Sequence, residues 1–448
     1  MTSLRDFIEA LPEDEIVRVQ APLDFVPTAL ALELEDREPR PVIYIAPAGD
    51  NSVPVVLNIF ADKNRISRLA GGRHGDFFSA WADVLRQSIA PRLVASGPVH
   101  ERIFLGDQVD CTALPISRHF AEDAGRYVNS GIFVCKDPDT GVRNLSFARM
   151  LLRDRARFAI NLGSRGDLWE HQGRAAARGK KLEVAVVIGA PPAVYLAASA
   201  KVAMNIDEYD IAGTLLGKPL DLVKCKTVDI EVPAEAEFVL EGEILADVSE
   251  DEGPMAEYSG YSSPRSTRNV LVVKALTHRN KPIYLDITPG SSSEHLQLAG
   301  IARQARDYIR LKEMIPGLKA LNFPRSGNSF HAYLSLKKNA EGEARRALAL
   351  LFGLDPYVKL AVAVDEDVDV HNEQEVLWAI ATRFQADTDM FVLPKVICNR
   401  GDPSSVDGMA AKVGMDATVP VGWKEQRATV SCEAVEAART IIAHGYKA

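Results

Sequence analysis

The sequence predicts a multidomain α/β protein with an all-β middle, flanked by two α/β regions and joined to the second by a long helix. Three observations carry this. The chain has 448 residues, more than one hydrophobic core ordinarily holds. Between about residues 125 and 287, short strand-like runs follow one another with tight turns and few helices, as in a barrel or closed sheet. Over 294–314 a single helical pattern runs without a break. The expected divisions are an N-terminal α/β domain (1–110), a central β domain (111–293), a linker helix (294–316) and a C-terminal α/β domain (317–448).

In the first domain, 42–45 and 53–59 read as strands and 76–87 as a helix. Gly71-Gly72-Arg73-His74-Gly75 fits neither phosphate-binding glycine pattern. In the centre, strands over 131–136 and 142–152 flank the turn Asp137-Pro138-Asp139-Thr140-Gly141, and a strand over 157–162 follows. A polar helix over 167–178 leads to a buried strand over 182–188, which Gly189-Ala190-Pro191-Pro192 breaks before an alanine-rich helix. Strands resume at 223–232 and 237–244, then as a pair, 270–277 with 283–287. Beyond the long helix, 331–336, 341–351, 359–364 and 373–383 alternate strand and helix.

A net charge of −9 argues against nucleic acid or an anionic membrane as the main partner, but leaves room for a small anion at a local cationic site. The five cysteines are scattered without a C-x-x-C, which reads as reduced thiols in a cytoplasmic protein. No apolar run approaches the ~18 residues of a membrane span. Serine hydrolase, zincin and thiol-redox motifs are also missing.

The chemistry concentrates in the loop from Glu250 to Tyr261, where Glu250, Asp251, Glu252 and Glu257 fall close together. Gly253-Pro254 forbids a regular helix or central strand there, so Glu252 and Glu257 sit on a turn that lets them converge. Two carboxylates at one point cannot both ionise cheaply, which suits acid/base work. Taken alone, the loop also fits a solvated turn. In the strand over 142–152, alternation puts Arg149 on the apolar face of Leu145, Phe147 and Leu151. A guanidinium there needs a carboxylate, from protein or substrate, unless it snorkels at the strand end. Asn144 and Glu208 offer oxygen ligands for a hard cation, though they equally suit caps or surface sites. The run from Asp365 to His371 lacks the glycine and terminal glutamate of a calcium loop, and reads as a strand end and helix cap. On the long helix, His295 and Arg303 lie eight residues apart, ~12 Å along the axis on nearby faces. A solvated helix edge would carry the same pair.

Together these pieces resemble the UbiD family of reversible decarboxylases, which use prenylated flavin mononucleotide. Asn144-Leu145-Ser146-Phe147-Ala148-Arg149 matches the family's N-x-S-x-A-R strand. Gly189-Ala190-Pro191-Pro192-Ala193 with Ser199 resembles the segment leading to the cofactor phosphate, and Asp207 to Gly213 the segment with the metal-binding glutamate. Glu252-Gly253-Pro254-Met255-Ala256-Glu257 matches the E-G-P-x-x-E loop. Asp365 to Val370 and Met415 to Thr418 look like its C-terminal signatures.

The resemblance implies a split β-barrel that binds the flavin, and Arg149, Glu252 and Glu257 as the catalytic trio. Arg149 would orient the reacting carboxylate, Glu257 move the proton, and Glu252 fix Arg149. It further implies Mn²⁺ (or Mg²⁺) held by Asn144 and Glu208 against the cofactor phosphate, and K⁺ near Ser199. The third metal ligand, a histidine in the family, aligns with Asp167, and His171 one turn later is the alternative. Pro191 lies in the cofactor segment, and Lys359 is the candidate for the phosphate. His295 and Arg303 resemble the pair that meets the second carboxylate in the furan-2,5-dicarboxylate branch. The expected reaction is therefore furan-2,5-dicarboxylate to furan-2-carboxylate and CO₂, with pyrrole-2-carboxylate or another aromatic acid as the alternative substrate. A flavin prenyltransferase would supply the cofactor, and the chain would form a homo-oligomer, a dimer or a hexamer. The competing class is an FMN-dependent split-barrel oxidoreductase, in which the trio has no evident task.

Overall fold

The structure is a computed structural model, and it describes residues 2–49, 51–72, 77–163, 166–264, 266–425 and 427–444. Arg73 to Gly75 of the glycine-rich stretch and Asp76 of the expected helix lie outside the described residues.

The architecture is mixed α/β, with a curled central sheet as expected. Its path runs Tyr127–Val128, Arg149–Leu152, Arg157–Asn161, Asn269–His278, Phe238–Ile244, Leu182–Ile188, Ile132–Lys136 and Arg143–Phe147. Arg102–Leu105 pairs onto Asn269–His278 as a ninth strand, so the sheet crosses the boundary expected at residue 110. The expected unbroken strand over 142–152 is two strands. Arg143–Phe147 pairs with Ile132–Lys136 at one end of the sheet, and Arg149–Leu152 pairs with Arg157–Asn161 near the other. Ala148 alone separates them, so the chain bridges the two ends and draws the sheet into a barrel. The alternation resets there. Leu145 packs into one core and Met150 into another.

A second difference concerns the expected pair 270–277 with 283–287. Asn269–His278 stays in the barrel, whereas Tyr284–Leu285 joins the N-terminal sheet in parallel beside Val55–Leu57. That sheet also holds Val42–Ile45 and Ile16–Val19. The expected strand over 223–232 is likewise a short hairpin, Asp221–Lys224 with Glu231–Pro233.

The long helix, Ser293–Met314, starts where Ser292 Oγ accepts from His295 N at 3.2 Å, a cap worth about 1 kcal/mol. Leu298, Ile301, Ala302 and Ala305 enter the barrel-side core, while Leu311 enters the core of the C-terminal domain. One helix thus fastens both units. Each fully buried leucine or isoleucine adds about 1.5–3 kcal/mol to that joint. The C-terminal domain carries a five-stranded sheet of Leu318–Asn322, His331–Leu336, Leu360–Asp365, Met409–Ala417 and Met390–Ile397, with helices Glu343–Leu354 and Glu373–Arg383. The run from Asp365 is a strand end, and Asn372 caps the following helix. No described helix is long and apolar enough to cross a membrane.

Candidate active site

Arg149 opens the strand that follows the barrel closure, and the acidic loop folds over it. Its Nε donates to Glu252 Oε1 at 2.8 Å and its Nη2 to Glu252 Oε2 at 3.2 Å, a bidentate pair. Nη1 donates to Glu257 Oε1 at 2.6 Å. The two carboxylates converge because Gly253 takes φ +139°, open to glycine but rarely to other residues. The loop is pinned from beneath. Asp123 Oδ1 accepts from Ala256 N at 3.0 Å, Ala124 N donates to the Pro254 carbonyl at 2.8 Å, and Met255 packs with Tyr127, Leu151 and Ala159.

The side chain of Glu252 is fully buried, and that of Glu257 is 21 % exposed. Desolvation pushes the Glu252 carboxyl up to about 7, against the pull of Arg149, and the charge of Glu257 adds to the rise. Glu250 and Asp251 stay outside, on Arg153 with Arg157 and on Arg268 respectively.

His295 lies within electrostatic range of Glu257 and Arg149. Burial lowers its pKa, while Glu257 raises it and Arg149 lowers it further. Its Nδ1 lies 2.8 Å from the Gly290 carbonyl, which can only accept, so Nδ1 carries the proton. Arg303 is no solvated edge. It is buried, donates from Nη1 to Asp355 Oδ1 at 3.2 Å, and lies against the rings of Phe323 and Tyr357, at 4.7 and 4.3 Å from their centroids. Its Nε and Nη2 have no hydrogen-bond partner among the described residues. Tyr357 is within electrostatic range of both Arg303 and Glu257.

At the other end of the closure, Asn144 meets Glu208. Asp207 caps the helix Glu208–Leu216 through Tyr209 N and is clamped by Arg143, which fixes Glu208 as the first helical residue. Asn144 Nδ2 donates to Glu208 Oε1 at 3.1 Å, and Leu145 N donates to Oε2 at 3.0 Å. Glu208 is buried, and desolvation, with Asp207 and Asp167 adding, pushes its pKa to about 8. A buried carboxylate with further carboxylates acting on it fits a bound cation. Asp167 stands at the start of the helix Asp167–Ala177 and acts on Glu208, whereas His171 faces Asp137 and Asp167, with both ring nitrogens unpartnered. No cluster of three or more His, Cys, Asp or Glu suited to a metal occurs among the described residues, so the ion would depend on Asn144 as well.

Pro191 and Ser199 bracket the buried helix Pro192–Ala198 as its two caps, and Ser199 Oγ donates to the Leu196 carbonyl at 2.8 Å. Lys359 does not join them. Its ammonium is 2.8 Å from Asp402 and donates to Ser404 at 2.6 Å, so an opposite charge already occupies it. Lys201, which the sequence reading missed, is the lysine that interacts with Asp167 and Glu208, and its pKa is lowered by desolvation and by Arg306 and Arg303. A lysine directly beyond the alanine-rich helix was the available signal.

Known proteins resemble this chain in sequence and in fold. Residues 92–292 match the family description "3-octaprenyl-4-hydroxybenzoate carboxy-lyase Rift-related domain", and residues 297–417 match the corresponding C-terminal domain. The chain belongs to the UbiD family and is a carboxy-lyase. Among solved structures it is similar to the UbiD-class enzyme HmfF from Pelotomaculum thermopropionicum in complex with FMN. That likeness has 36% identity and a TM-score of 0.92, over 98% of this chain and 100% of that one. An evolved dimeric form of the same enzyme, in complex with prFMN, matches at 35% identity and TM-score 0.87, over 97% and 98% of the two chains. A curated relative, anhydromevalonate phosphate decarboxylase of Methanothermobacter thermautotrophicus, is 31% identical across 96% of this chain and 99% of its own.

Proposed function

We propose that the protein is a reversible, non-oxidative decarboxylase of a heteroaromatic acid, with furan-2,5-dicarboxylate as first-choice substrate and furan-2-carboxylate and CO₂ as products. The observation that carries this is the Glu252–Arg149–Glu257 arrangement. Arg149 holds one positive charge against two carboxylates. An incoming substrate carboxylate displaces Glu257, whose side chain is partly exposed, while the fully buried Glu252 stays on Nε and Nη2 of Arg149. Glu257, released from Arg149, takes up a proton from the solvent its side chain reaches and passes it to the ring carbon that loses CO₂, while Glu252 keeps Arg149 in place. Prenylated FMN, when bound, supplies the electron sink that an aromatic carbon lacks. Asn144, Glu208 and Asp167 would hold Mn²⁺ or Mg²⁺ at its phosphate, with Lys201 as the nearby organic cation and K⁺ near Ser199.

The unused Nε and Nη2 of Arg303 suit the second carboxylate, a planar anion that a guanidinium reads in bidentate fashion. A second reading has specific support in the archaeal relative, whose name implies an acid bearing a phosphate. Arg303, Arg306 and Lys201 are mutually close cations that could receive one. Pyrrole-2-carboxylate is the alternative within the heteroaromatic class.

Co-expression with a flavin prenyltransferase tests all of these. The purified protein should carry the modified flavin spectrum and release CO₂ from furan-2,5-dicarboxylate above pyrrole-2-carboxylate and anhydromevalonate phosphate in one panel. Release from the phosphate alone would select the second reading. A flavin bleached by a pyridine nucleotide, with no CO₂ from any acid, would select the oxidoreductase. The expected oligomer, dimer or hexamer, is read by light scattering on the same preparation.

A further inference from the structure

Tyr258 sits beside Glu257 on the acidic loop, yet the reaction gives it no task. Its side chain leaves the barrel and enters the C-terminal domain. The hydroxyl donates to Asn399 Oδ1 at 2.6 Å, and the ring lies 5.5 Å from Phe330 and 5.6 Å from Tyr357, centroid to centroid. The acceptor is itself fixed, because Asn399 Oδ1 also accepts from Gly401 N at 2.7 Å and Asn399 N donates to the Pro356 carbonyl at 3.1 Å. Gly401 is shaped to this contact. A Cβ there would stand 2.5 Å from the Tyr258 hydroxyl oxygen, closer than van der Waals contact allows. On the loop side, Glu257 N donates to the Tyr261 carbonyl and Gly260 N to the Glu257 carbonyl, both at 2.9 Å, so Glu257 and Tyr258 share one tight turn.

We propose that Tyr258 is a positioning residue that ties the turn carrying Glu257 to the C-terminal domain through Asn399. Glu257 then meets Arg149 in working geometry only when that domain is docked on the barrel. The long helix already joins the two units through its core contacts, and Tyr258 adds a second tie, on the turn that carries Glu257. A misplacement of the proton-carrying group by about 1 Å can cost on the order of 100-fold in rate. Loss of one neutral hydrogen bond that holds it should cost less, about tenfold. The proposal rests on Glu257 moving the proton.

The test is a double-mutant cycle on the cofactor-loaded enzyme with Tyr258→Phe, Asn399→Ala and the double variant, using the acid that turns over in the panel above. Tyr258→Phe keeps the ring contacts and removes only the hydroxyl. It should lower kcat about tenfold with KM changed less than about twofold, and the double variant should be no slower than the slower single variant. Wild-type kcat in Tyr258→Phe, additive losses, or a fall in flavin affinity that accounts for the loss would each overturn the proposal. A substrate-free reading uses backbone amide exchange over residues 255–261 in the protein without substrate. Exchange should quicken alike in both single variants, and an unchanged rate is contradictory. Glu257→Gln, run alongside, separates the two claims. If it is fully active, the role of Glu257 fails. If it is inactive while Tyr258→Phe matches wild type, the tie alone fails.

Discussion

Arg149 is a partly buried guanidinium and Arg303 a buried one, and they differ in what they already hold. Arg149 is matched by carboxylates on two sides, whereas Arg303 is paired on one edge, with Asp355, and stacked on two rings. On the proposed function, that difference suits Arg149 to the reacting carboxylate and Arg303 to a distal one. Arg303→Ala should therefore lose on the order of 10- to 100-fold in kcat/KM on furan-2,5-dicarboxylate, and far less on a monocarboxylate. Equal losses on both acids would remove Arg303 from substrate recognition. Arg149, Glu252 and Glu257 were legible in the sequence because an arginine on an apolar strand face and a carboxylate pair around Gly-Pro are each locally odd. The partners of Arg303 and Lys359 were not. Asp355 and Asp402 lie 52 and 43 positions from them, and no local pattern announces such pairings.

Elements were legible where they have a period and less so where they change sheet. The strand Leu182–Ile188, the strand His331–Leu336 and the helix Glu373–Arg383 run as their patterns indicate. The bend at Ala148 and the departure of Tyr284–Leu285 into the N-terminal sheet leave apolar runs that look continuous, because both destinations are equally buried. The segment after Leu285 carries a further consequence. Asp286 is fully buried, with Oδ1 accepting from Ile287 N at 2.9 Å and Oδ2 unpartnered 3.6 Å from His119 Nε2. Burial pushes its carboxyl from the ordinary 3.8 to about 8, and Glu294 adds to the rise. Folding therefore favours the protonated form. The stability this acid contributes is complete below its unfolded pKa and is lost as pH rises through the folded one. Asp286→Asn should have a melting temperature that gains on wild type steadily between pH 4 and pH 8, measured by calorimetry. A difference that stays flat with pH would mean that Asp286 is charged in the folded protein.

For the whole molecule, the barrel supplies Arg149 and the Asn144–Glu208 pair, the acidic loop folds over Arg149, and the long helix carries His295 and Arg303. The C-terminal domain supplies Asp355, Tyr357 and Asn399, which act on the site from outside the barrel. The negative net charge is compatible with an anionic substrate because these cations are gathered inside. On the proposed function, Glu257, released from Arg149, moves the proton at the ring carbon. Deuterium incorporation into the ring of furan-2-carboxylate in D₂O, followed by NMR with cofactor-loaded protein, tests it without waiting for net CO₂ release. Wild type should exchange steadily, and Glu257→Gln should lose about 100-fold or more, with the flavin spectrum unchanged. Exchange at the wild-type rate in that variant would contradict it.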